Sequence, residues 1–167
     1  MLPGLGGHLH SAQHAGDLLA ALLGRQAARG RSRASLGGGF LDRATEAAQC
    51  HRFGNYHACC AMAGAAAESI LIAVAITKVR DEQLVLKAYR AAQGRKHVTD
   101  MIVGGATAAT AEQFRNATNL LNYWRDAAAH GQRTAISEIE AHEALGRLIR
   151  FAQFVTDNWD ALTTPSS

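Results

Sequence analysis

Two prolines in 167 residues leave few places where a helix is forced to break. Aromatic residues make up only 6% of the chain, and the apolar half is rich in alanine and leucine, with little of the β-branched or aromatic content that strands favour. These shortages exclude a sandwich or barrel and predict an all-α protein. Three cysteines, two of them adjacent (Cys59 and Cys60), are too few for a disulfide framework. They read as small apolar residues in a reducing, cytoplasmic compartment. No basic-then-apolar segment opens the chain, so no export signal is expected. Charge of one sign is also scarce: 17 Lys and Arg against 14 Asp and Glu give +3. Such an excess is compatible with nucleic acid without demanding it.

The excess is unevenly spread. Residues 78–96 carry six cations (Lys78, Arg80, Lys87, Arg90, Arg95, Lys96) against two acids, whereas from residue 97 onward the acids lead, eight to five. Taken alone, such a basic stretch is also what an ordinary solvated helix surface looks like.

In chain order, apolar spacing predicts a helix over Ser11–Arg29, then a flexible Gly/Arg-rich connection over Gly30–Gly39. Residues 1–39 thus form an N-terminal arm, residues 40–162 a helical domain and residues 163–167 a disordered tail. Within the domain, helices are expected over Phe40–Arg52, Tyr56 to about Arg80, Asp81–Gln93 (short) and Thr110–His130. Gly94–Gly105 reads as a broken, partly basic connection. Thr110 is the expected N-cap of its helix. Ser137-Glu138-Ile139-Glu140 matches a capping box and opens a last helix running to Leu162. The architecture predicted is an antiparallel helical bundle of four main helices plus one or two short ones.

Ala58–Thr77 is long enough to raise the question of a membrane span. Its Ala and Gly content and its Glu68 and Ser69 favour a buried central helix, and no membrane partner is expected. Glu68 is the only charge between His57 and Lys78, so it requires a partner, a gap to solvent or a site; an interhelix ion pair is the ordinary solution. His10 and His14 share a helical face, but the sequence offers too little else at ligand spacing nearby for a metal site to be expected. No cofactor is implied.

The richest stretch is Leu121-Asn122-Tyr123-Trp124-Arg125-Asp126-Ala127-Ala128-Ala129-His130-Gly131. Asn122, Asp126 and His130 follow one another at i, i+4, and Arg125 adjoins Asp126. The helix dipole and Asp126 both favour a charged His130. Arg125 can fork onto two phosphate oxygens. A proton-transferring imidazole beside a phosphate-holding guanidinium suits attack of an RNA 2′-hydroxyl on the adjacent phosphorus, which requires no metal. That reaction wants both a base and an acid, and one chain supplies one such histidine, so a symmetric dimer is predicted. The same residues before a glycine are equally the furniture of a helix C-terminus, and the spacing alone leaves both readings open.

Arg125-Asp126-Ala127-Ala128-Ala129-His130 resembles the motif of HEPN (higher eukaryotes and prokaryotes nucleotide-binding) domains: Arg, a polar residue, a short spacer, then His. Phe53-Gly54-Asn55-Tyr56-His57-Ala58, leading to Glu68, is similar to the turn and acidic helix that begin such domains, and Ile139–Trp159 to the helix after the motif. The resemblance covers roughly residues 40–160. It implies a helical bundle, commonly dimeric, and in many members a metal-independent ribonuclease acting as a toxin or in phage defence. Carried over by position, Arg125 and His130 would be the catalytic pair, with Asp126 and Glu68 in support; Asn122 joins the supporting residues through its i, i+4 place on the same stripe. Glu68 would then pair with Arg125 and fix its direction. The implied partners are RNA, a second copy of the chain and a nucleotidyltransferase-like antitoxin. Other members are non-catalytic nucleotide- or protein-binding modules, and that alternative stands beside the nuclease.

Overall fold

The computed structural model describes residues 36–129 and 135–165, with the backbone course alone for residues 120–129. The predicted helix Ser11–Arg29, the histidines His8, His10 and His14, and His130 with its loop lie outside the described residues. Seven helices are described: α1 (Gly38–Arg52), α2 (Tyr56–Val79), α3 (Glu82–Arg90), α4 (Gly94–Val103), α5 (Ala108–Ala129), α6 (Glu138–Asp157) and α7 (Trp159–Thr163). No strand occurs among the described residues, and the fold is an all-α bundle. Four helices are long, as expected, and three rather than one or two are short.

The bundle is built on α2, which packs against each of the other helices. Its small residues Ala63, Gly64, Ala66 and Ala67 are buried and let neighbouring backbones approach closely, while Ile70, Leu71 and Val74 fill the core above them. By length and composition α2 could cross a membrane. Its apolar surface is met by α1, α5 and α6, whose Phe40, Phe114 and Phe151 are fully buried. The Phe114 and Phe151 rings meet edge to face, 5.5 Å apart, and lock α5 to α6.

Four expectations are corrected. Gly94–Gly105 is not a broken connection: Val98 and Ile102 are buried at i, i+4, Lys96 and Asp100 pair on the outer side at the same spacing, and α4 results. A glycine is needed at 94 because a β-carbon there would collide with the Tyr89 carbonyl oxygen. The helix carrying the motif starts at Ala108, not Thr110, because Thr107 acts as cap, its Oγ1 accepting from the Thr110 amide at 3.2 Å. The last helix turns at Asn158 into the separate α7 instead of running through to Leu162. The core also reaches back beyond residue 40, since Leu36 is fully buried. Gly37 makes that approach possible: its φ is +85°, and a β-carbon there would stand 3.1 Å from the Ala73 β-carbon.

Two further polar devices fix helix ends. The capping box of α6 is present: Ser137 Oγ accepts from the Glu140 amide at 3.3 Å, and Glu140 Oε2 accepts from the Ser137 amide at 2.7 Å. The Ser137 amide and then its hydroxyl, both donating to Glu140, hold that carboxyl below the usual glutamate range. A depressed carboxyl pKa means the cap stabilises fully above the unfolded value of 4.5 and fades as pH falls through the lower folded value. Glu140→Gln is therefore expected to leave neutral stability nearly unchanged, because glutamine also closes the box, and to flatten the loss seen as pH falls below about 4.5 in urea melts.

The second device is Lys78. Buried at the end of α2, it donates through Nζ to the Ile102 carbonyl at 2.7 Å and to the Gly104 carbonyl, closing the C-terminus of α4 with a cation. Burial holds its pKa below the usual lysine value. Lys78→Met is expected to cost about 1–3 kcal/mol in urea unfolding by removing the buried ammonium's hydrogen bonds to the end of α4. Lys87→Met, at an exposed position, serves as the near-neutral comparison.

Candidate functional site

α5 runs antiparallel to α6: Phe114 and Gln113 lie opposite Phe151 and Phe154, and both helices descend from there toward the α1–α2 turn. α6 opens beside α2, where the Cys59 thiol donates to the Ala141 carbonyl at 3.8 Å. Burial pushes the Cys59 thiol up to about 12 and the Cys60 thiol up to about 11, so neither is a nucleophile near neutral pH. His51 lies at this end too, with the rings of Tyr56 and His142 each 5.8 Å from its own. Phe53 and Ile139 stand exposed here, at 74% and 72%.

Asn122, Arg125 and Asp126 belong to the C-terminal half of α5, and the helix is continuous through Ala129, the residue before His130. By register, Asn122 and Asp126 continue the stripe begun by Arg115, Thr118 and Asn119, at steps of three and four. Arg125, three residues after Asn122, flanks that stripe. The side chains of Asn122, Arg125 and Asp126, and all of His130, lie outside the described residues.

Higher on the same stripe the side chains are described, and they border a cleft. Gln93, Arg95, Lys96, Thr99 and Asp100 of the α4 side face Arg115, Thr118 and Asn119 of α5 across a volume of about 520 Å³. Glu68 stands behind Thr99 and Thr118. Its Oε1 meets Arg95 Nε at 3.3 Å, in a largely buried interhelix ion pair. The expected interhelix ion pair of Glu68 is present with Arg95; the Arg125 side chain, the partner implied by the resemblance, lies outside the described residues.

Asp100 joins the two walls of the cleft. Its carboxylate accepts from Lys96 at 2.8 Å and from Arg115 Nη2 at 3.5 Å. The Lys96 hydrogen bond, and after it the charges of Lys96 and Arg115, holds the Asp100 carboxyl below its usual value. Among the described contacts, Arg95 pairs with Glu68, and Lys96 and Arg115 pair with Asp100, around one cleft. The first turn of α4 opens at its mouth, and the N-cap Gln93 makes no side-chain capping bond there. This arrangement suits holding an anion, and the sequence signal for it was the basic run ending at Arg95 and Lys96. Arg115 and Asp100 join them only through the packing of α4 on α5. Among the described residues, no three His, Cys, Asp or Glu side chains converge as metal ligands would.

Comparison of the chain with protein-family models, curated proteins and solved structures finds no match.

Proposed function

We propose that the chain is a metal-independent RNA endonuclease of the HEPN type, acting in the cytoplasm as a homodimer through the Arg125–His130 helix end. The observation that supports the reading is the continuity of α5 through Ala129, which sets the backbone of Arg125 and Asp126 in the last turns of that helix, up to the residue before His130. His130 would take the proton of the 2′-hydroxyl as that oxygen attacks the adjacent phosphorus. Arg125 would hold the phosphorane oxygens, and the His130 of the second copy would protonate the departing 5′-oxygen. The products are a 2′,3′-cyclic phosphate and a 5′-hydroxyl. The exposed Phe53 and Ile139 lie at the end of the bundle toward which α5 descends, and they suit burial against a second copy. A toxin or phage-defence role, restrained by a nucleotidyltransferase-like antitoxin, goes with this reading.

The test is incubation of purified protein with labelled RNA in EDTA, beside His130→Ala. Cutting by the wild type alone supports the nuclease, and intact RNA overturns it. A second reading, a non-catalytic RNA- or nucleotide-binding module, is favoured by one observation: among the described residues, the lining of the α4–α5 cleft holds three cations and no imidazole.

A further inference from the structure

We propose that the α4–α5 cleft is a phosphate-binding groove for a single RNA strand, separate from the Arg125–His130 end and leading toward it. The proposal rests on the RNA reading for the identity of the ligand, but it does not require cleavage.

The ligand chemistry follows from the lining. Arg95, Lys96 and Arg115 present cations from two helices across a cleft whose volume, about 520 Å³, accommodates a nucleotide unit. The only carboxylate among the described residues lining it, Asp100, is already held by Lys96 and Arg115. Lys96 and Arg115 are exposed at 70% and 50% of their side-chain surface, so both heads can turn from Asp100 to an incoming phosphate at small cost. The opening turn of α4 adds amide dipoles of the same sign at the mouth. Glu68 holds Arg95 by Nε, fixing the base of its guanidinium.

A strand, rather than an isolated nucleotide, is favoured by the course of α5. Beyond Asn119 the helix continues for ten residues to Ala129, on the register stripe that holds Asn122 and Asp126. Arg115 and Arg125 are ten residues apart, roughly 15 Å along the axis. That is the length of about four stacked nucleotides. A strand laid along this stripe would be gripped at Arg115 and would follow the backbone of α5 toward its C-terminal turns.

The experiment measures binding of a fluorescent 12-nucleotide 2′-O-methyl RNA, which has no attacking hydroxyl, by the full chain over a range of salt. Lys96→Ala/Arg115→Ala is expected to weaken binding roughly tenfold and to shallow the log–log salt slope by about 1.4, two phosphate contacts at about 0.7 each. Asp100→Asn is expected to tighten binding roughly two- to fivefold, by freeing both cations. A merely structural Asp100 would not produce that gain. Circular dichroism melts check that each variant is folded. Wild-type binding that neither substitution changes overturns the groove and leaves the RNA reading standing. Absence of wild-type binding overturns the groove as a strand site, while cleavage of ordinary RNA scores the Arg125–His130 reading separately. Equal competition by AMP and by the oligonucleotide at matched phosphate overturns the strand in favour of a mononucleotide site.

Discussion

His130→Ala is expected to lower the rate of RNA cleavage by roughly 10²–10⁴-fold, the usual worth of a positioned acid–base group. Binding of the uncleavable 2′-O-methyl strand should change little, because its grip is assigned to the cleft higher on α5. Arg125→Lys is expected to lose much of the activity while keeping the charge, since an ammonium cannot fork onto two phosphorane oxygens. The comparison is single-turnover cleavage of one RNA by wild type, His130→Ala and Arg125→Lys. Equal rates for wild type and His130→Ala would reduce Arg125–His130 to the chemistry of a helix end. In a dimer that draws acid and base from two copies, mixing active chains with an excess of His130→Ala chains should depress activity further than simple dilution.

Phe114→Ala is expected to cost about 3–5 kcal/mol, more than the loss expected for Lys78→Met. Phe114 is fully buried and meets Phe151 edge to face at 5.5 Å and Phe154 at 6.5 Å. Truncation opens a cavity where α5 is fastened to α6, at a ring that packs against two others. At roughly 2–4 °C per kcal/mol for a chain of this size, the melting temperature should fall by about 6–20 °C. Phe114→Leu, which keeps more of the volume, should fall less. Thermal melts of the three proteins check this, and an unchanged melt for Phe114→Ala would contradict the packing of α5 on α6.

Much of the bundle is legible in the sequence because its signals are local. The capping box at Ser137–Glu140 opens α6 where the pattern places it, and the alanine-rich stretch from Tyr56 gives α2 to within a residue or two. α4 escapes because its glycine is at the beginning, where it serves a close approach to Tyr89, and reads as a break. Its only helical signature is two short i, i+4 pairs, Val98 with Ile102 and Lys96 with Asp100. Glu68 is legible as an acid that needs a partner. That Arg95, 27 residues on, pairs with it depends on α4 lying beside α2, which no local pattern encodes. The cleft is hidden for the same reason: Lys96 and Arg115 are separated by a turn and a helix start, and only the fold sets them on opposite walls around Asp100.

The most direct measurement is the chemistry of the RNA ends. Purified protein is incubated in EDTA with a 5′-labelled oligoribonucleotide, beside the same oligonucleotide carrying a single 2′-deoxy substitution at the cut position. The account predicts 2′,3′-cyclic phosphate products from the first and none at that position from the second. Intact RNA, or fragments ending in a 3′-hydroxyl, would contradict it.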